Sequence, residues 1–339
     1  MSVTLRDISK YTGISLGTVS RFLNGETVRK HTREKLEAAI KELGYKENVV
    51  SKAKRTGSSM TIAVVLSSLS AEFFMSIIES LDNELSNHMF SILLFNFHKD
   101  PVYLKRRFEE LRHRSVDGLI FFPSGLEGDI VDELKSFIDT GVPVVAIDDF
   151  VHGLKTDAVV VDNRNSTFRA TEYLIRQGHS NIGFLVGRKG SFVAQNRYEG
   201  CRDAFDVYDL PWDDSKVRWA DFEVNKARKM FNSIMEEKNP PTAFFSTSYD
   251  MTMGIFLSIV NKNISIPEDL SLFGYDRFSG TDAFSPKLSL IEQPTVKIGK
   301  TVANILIERI RGNWDDFPKT VELKTKMIIR NSVRKITLT

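Results

Sequence analysis

From residue 60 onward, short apolar runs alternate with longer amphipathic stretches, and this alternation narrows the fold more than any other feature. TIAVVL precedes a helical pattern from about 71 to 87. SILLFN precedes one at about 102–114, and GLIFFP one at about 128–140, before VPVVAID. A second series follows: AVVVD, a helix at 164–177, NIGFLVG, helices at 194–207 and 223–237, TAFFST, a helix at 250–262, and DLSLFGYD. Continuous apolar strands of four to seven residues belong to sheets buried on both faces. Interleaved helices supply the parallel crossovers. Two such series in one chain predict two α/β lobes, with ligand contacts at the carboxyl ends of the strands.

The first sixty residues follow different rules. Residues 1–57 hold twelve Lys and Arg against six acids, a net +6, which leaves −4 for the rest of a chain whose total is +2. A small basic head suits a polyanionic partner. Thr4 can cap a helix over about 5–11, Gly13 offers a cheap positive φ for a sharp turn, and Ser15 can cap a second helix, LGTVSRFLN. A third, from about Thr32 to Leu43, offers Leu36, Ala39, Ile40 and Leu43 to a small core. The expected unit is a helix-turn-helix whose second helix enters the major groove. Leu16, Gly17, Ser20 and Arg21 lie opposite its apolar side. Arg21 suits the paired acceptors of guanine and Leu16 a thymine methyl, Gly17 permits close approach, and Thr18 and Ser20 suit phosphates.

No start resembling a signal peptide and no membrane-length apolar run is present. The lone Cys201 fits a reducing compartment, so a cytoplasmic protein without membrane contact is expected. No nucleotide-binding glycine loop, H-E-x-x-H or G-x-S-x-G points to an enzyme, and no metal or cofactor is expected. The nearest phosphate-loop lookalike, G-R-K-G at 187–190, is too short to count.

The run V-T-L-R-D-I-S-K-Y-T-G-I-S-L-G-T-V-S-R-F-L-N-G, followed by T-R-E-K-L-E-A-A-I-K-E-L-G-Y, resembles the head of the lactose/galactose repressor family. Looser likenesses continue through V-D-G-L-I, I-R-Q-G-H-S-N-I-G-F-L, N-R-Y-E-G, I-P-E-D-L-S-L-F-G-Y-D and I-E-Q-P. The resemblance implies an all-α helix-turn-helix domain over 1–46, a hinge over 47–59, and a two-lobed periplasmic-binding-protein-like core over 60–339. Lobe 1 would comprise about 60–162 and 294–322, and lobe 2 about 163–291 and 323–339. DNA contacts are expected from Thr4, Ser15, Leu16, Gly17, Thr18, Ser20, Arg21, Asn24 and Lys54. Effector contacts are expected from Phe73, Phe74, Ser124, Asp149, Arg197, Phe222, Ser248, Tyr249 and Asp276.

Two departures stand out. The family's hinge leucine, which wedges into the minor groove, is Lys54 here, so less bending of the site is expected. Where relatives often have Asn-Asp, this chain has Ser248–Tyr249. The expected function is that of a homodimeric, sequence-specific regulator, a repressor of carbohydrate-utilisation genes. It would bind a near-palindromic operator under control of a sugar-like effector. A purine or protein co-regulator, or a sugar receptor without DNA binding, are the alternatives.

Overall fold

The computed structural model describes residues 3–23, 27–45, 58–98, 100–123, 130–283 and 285–336. The chain divides between Ser59 and Met60 into a head and a core.

In the head, helices α1 (Leu5–Thr12), α2 (Leu16–Leu23) and α3 (Lys30–Leu43) close around Ile8, Val19, Leu36 and Ala39, all fully buried or nearly so. The Asp7 carboxylate begins α1 by accepting from the Thr4 N–H at 2.9 Å and the Thr4 hydroxyl at 2.7 Å. Gly13, at φ 68°, ends it in the left-handed conformation that costs glycine nothing. This turns the chain into α2 within three residues.

In the core, the described strands form two six-stranded sheets. The first contains β1 (Thr61–Leu66), β2 (Ser91–Asn96), β3 (Gly118–Phe121), β4 (Val144–Ile147), β5 (Asp157–Val161) and β11 (Thr320–Leu323), in the order β11-β5-β4-β3-β1-β2 and all parallel. The strands read as unbroken apolar runs because both faces are covered. Ile62, Val64 and Leu66 meet α4 (Glu72–Ser86) and α11 (Thr295–Ile310). Ala63 and Val65, pointing the other way, meet α5 (Pro101–Arg112) and α6 (Val131–Asp139).

The second sheet runs β12-β10-β9-β8-β6-β7. It is built from β6 (Ile182–Val186), β7 (Val217–Trp219), β8 (Ala243–Ser246), β9 (Ser271–Tyr275), β10 (Ser289–Glu292) and β12 (Lys326–Ile328), with only β12 antiparallel. Helices α7 (Asn163–Arg176) and α8 (Phe192–Val207) cover one face, and α9 (Val224–Met235) and α10 (Tyr249–Lys262) the other. Strand β7 breaks the stretch that the sequence reading leaves between two helices. Three residues with Arg218 at the centre are too few to show a strand period.

The chain passes between the lobes three times, after β5, after β10 and between β11 and β12. Asp162 ties the first passage to the third. Its Oδ1 accepts the Thr325 N–H at 2.8 Å, and Arg169 donates to the Thr325 hydroxyl at 3.0 Å.

Where β5 begins, Arg309 and Asp157 form a sealed two-pronged ion pair, Nε–Oδ2 2.8 Å and Nη2–Oδ1 3.0 Å. Asp316 also meets Arg309 at 2.8 Å, and the Asn313 carbonyl accepts from Nη1 at 2.8 Å.

Candidate recognition helix and effector cleft

The recognition face of the head follows from the burial of Val19. With that side chain inward, Leu16, Gly17 and Arg21 are exposed along α2 and Thr18 and Ser20 are half-exposed. Ser15 caps α2 weakly, accepting from the Thr18 N–H at 3.4 Å, and its hydroxyl shares a 2.9 Å hydrogen bond with that of Thr18. Among the described residues the Arg21 side chain makes one long contact, 3.4 Å from Nη2 to the Thr18 hydroxyl, so its fork is available to an outside acceptor. The Thr4 hydroxyl, by contrast, is spent on Asp7. Asn24 and Lys54, and with Lys54 most of the hinge, lie outside the described residues.

In the core a cleft of about 380 Å³ opens between the carboxyl ends of the two sheets. Eight of the nine expected effector residues line it: Phe73, Phe74, Asp149, Arg197, Phe222, Ser248, Tyr249 and Asp276. Ser124 lies outside the described residues. The lining also includes Asp148, Arg188, Lys226 and Gln293, which the sequence reading does not single out.

The centre of the cleft is a buried arginine between two strand-end aspartates. Arg197, 3% exposed, donates from Nε to Asn163 Oδ1 at 2.8 Å and from Nη1 to the Thr247 carbonyl at 2.6 Å. Its guanidinium lies 3.9 Å from the centre of the Tyr275 ring. It forms no ion pair among the described residues.

Asp276 follows β9 at φ 69°, and Asp148 follows β4 at φ 70°, the same left-handed turn at the end of one strand in each sheet. Asp276 is held on both oxygens, accepting from the Tyr249 N–H at 3.1 Å and from Gln293 Nε2 at 2.6 Å. Asp148 is not held so: its Oδ1 is sealed from solvent and has no partner. Burial pushes its carboxyl up to about 6, against the pull of Arg197 and with a smaller push from Asp276.

The walls are aromatic. Phe74 lies edge-on to Phe122, ring centres 4.9 Å apart, and both Phe73 and Phe74 also pack on the first sheet's core. Phe222 sits in a strained loop, φ 57°, after Asp221 at φ 55°. Its ring lies where a Cβ on residue 187 would come within 1.9 Å, so only Gly187 admits it. Ser248 caps α10, accepting from the Met251 N–H at 3.4 Å, and Tyr249 packs edge-on to Phe278 at 4.5 Å.

Cys201 is buried, its thiol pushed up to about 12 by desolvation, and takes no part in the cleft. Among the described residues no group of three or more His, Cys, Asp or Glu is arranged to hold a metal ion, and no helix is long and apolar enough to cross a membrane.

A helix-turn-helix head joined to a two-lobed core with a ligand cleft defines a DNA-binding transcription regulator. Residues 4–48 match the bacterial regulatory proteins of the lacI family, and residues 59–335 match the periplasmic binding proteins and sugar binding domain of the LacI family. The chain belongs to the LacI family.

It is similar to the HTH-type transcriptional repressor PurR of Haemophilus influenzae (strain PittEE), 30% identical over 98% of this chain and 99% of the relative. The transcriptional regulator CelR in complex with cellobiose is 26% identical, with a TM-score of 0.74 over 97% of this chain and 99% of CelR. The lac repressor dimer bound to operator and the anti-inducer ONPF shares the fold, with a TM-score of 0.77 at 23% identity over 98% of this chain and 100% of that one.

Proposed function

We propose that this regulator is a repressor whose hold on a near-palindromic operator is set by a sugar-like effector bound between the two lobes. The observation that carries the reading is the meeting of Arg197, Asp276 and Asp148 above aromatic walls. A polyhydroxylated ring offers hydroxyls to a fork and two carboxylates and an apolar face to Phe222. Asp148 has a sealed oxygen that a hydroxyl would satisfy, and Arg197 is buried without a carboxylate partner. The cellobiose complex of the similar CelR supports the class of ligand.

Two copies of the head, working in the cytoplasm as a homodimer, would reach successive major-groove segments, since one small head has too little interface for useful specificity. Base reading falls to Arg21 and Leu16, and phosphate contacts to Ser15, Thr18 and Ser20. Thr4 positions α1 through Asp7. Effector closing the lobes changes how the two heads are presented, and operator alters effector affinity by the same factor.

The similarity to PurR favours a second reading, in which a purine fills the cleft. The aromatic walls would stack on its rings, and Asp276 and Arg197 would meet its edge.

The test is selection of retained sequences from random duplex DNA, followed by anisotropy titration of the recovered site with sugars and with purine bases. A two-fold symmetric site whose affinity responds to a sugar establishes the first reading. A response to purines alone establishes the second. Retention of no preferred sequence counts against both.

A further inference from the structure

Three basic side chains line the cleft, and two of them are engaged. Lys226 donates to Asp221 at 2.8 Å and to Glu223 at 3.0 Å. Arg197 is committed to Asn163 and the Thr247 carbonyl. The side chain of Arg188, half-buried at the end of β6, makes no hydrogen bond or ion pair with any described residue. A cation that faces a cavity without an acceptor inside the fold leaves its donors to an anionic ligand.

A second electropositive feature lies beside it. Arg188 belongs to the G-R-K-G-S turn that leads into α8, a helix of 16 residues. Ser191 caps α8 by accepting from the Ala194 N–H at 3.4 Å, while the amides of Phe192 and Val193 have no acceptor among the described residues. Ser191 and Val193 line the same cleft as Arg188, so the positive end of the helix and this arginine open on one cavity.

Asp148, Asp149, Asp221, Glu223, Asp250 and Asp276 also line the cleft, and several of them are engaged within the fold. Asp276 is held by Tyr249 and Gln293, Asp221 and Glu223 by Lys226, and Asp149 accepts from the Phe150 N–H at 2.7 Å.

We propose that the effector is an acidic sugar derivative, carrying a phosphate or a carboxylate, and that Arg188 with the start of α8 receives that group. The proposal rests on the reading of the cleft as a sugar site and specifies which class of sugar it takes.

Calorimetric titration of the full chain tests it, with glucose, ribose and galactose each as the neutral sugar, the terminal phosphate and the terminal acid. One charged series should bind about 10-fold or more tightly than its neutral parent. Whichever series gains, phosphate or acid, identifies the group. The ratio should fall to near unity in Arg188→Gln, remain partly in Arg188→Lys, and persist in Lys189→Gln, where the neighbouring cation rests 5.9 Å from the Trp219 ring and does not line the cleft.

Circular dichroism of each variant separates a binding defect from misfolding. Equal binding of charged and neutral sugars, or a preference that survives Arg188→Gln, overturns the proposal while leaving the sugar reading intact. Failure of every probe to bind removes the sugar reading and the proposal together.

Discussion

Arg309 and Arg197 are both almost wholly buried, 2% and 3% exposed, one at the base of the first lobe and one at the cleft. The first is closed by the protein's own carboxylates, Asp157 in two-pronged contact and Asp316 at the rim. Lys319 and Arg309 together hold Asp316 down at about 2. The second is closed by neutral oxygens, those of Asn163 and Thr247, with the nearby aspartates left for another role. A buried cation with its anion inside the fold is architecture. A buried cation without one, facing a cavity, is a candidate for binding a ligand.

The largest effect expected from this contrast is at the base. Asp157→Ala leaves Arg309 with the exposed Asp316 as its remaining carboxylate, and should cost about 3–5 kcal/mol in chemical denaturation. A loss under about 1 kcal/mol would erase the distinction between the two arginines.

Arg197→Met should do the reverse, weakening effector about 100-fold, roughly 3 kcal/mol, with less damage to stability. Titration paired with denaturation gives both numbers, and equal losses in the two would break the contrast.

Asp148→Asn sharpens it through pH. Because burial raises this carboxyl from 3.8 to about 6, the native state favours its protonated form. The associated stability is present below about pH 4 and is lost as pH rises through 6. Wild type and variant should therefore match near pH 4, and the variant should be more stable by about 3 kcal/mol at pH 7.5. Parallel curves across that range would show that the carboxyl titrates normally.

The smallest effect concerns the exposed arginine of the head. Arg21→Ala should cost about 1–2 kcal/mol, confined to one base position of the selected site. A uniform loss across sequences would make Arg21 a phosphate contact instead.

Much of this was readable in advance where the signal is local. Gly13 after a capped apolar face marks the turn of the head, and continuous apolar runs such as TIAVVL divide cleanly between the two faces of a sheet. The cleft aromatics and Arg197 are what the family resemblance implies, and the structure brings them to one cavity.

What escaped depends on contacts far apart in the chain or on a single dihedral. Asp157 and Arg309 are 152 residues apart. In the pair Asp148–Asp149 the sequence reading chose the second. Both line the cleft, and among the described residues it is Asp148 that carries the oxygen without a hydrogen-bond partner. The open fork of Arg188 is visible only once the partners of every neighbour are known.

The three passages between the lobes also govern how the chain is made. The first sheet takes its edge strand from Thr320–Leu323 and its covering helix from Thr295–Ile310, while the second is finished by Lys326–Ile328. As the polypeptide leaves the ribosome, neither lobe can complete itself before almost the whole chain has been translated. The nascent core therefore carries two unfinished sheet edges at once, and the last strands of each are added within ten residues of one another.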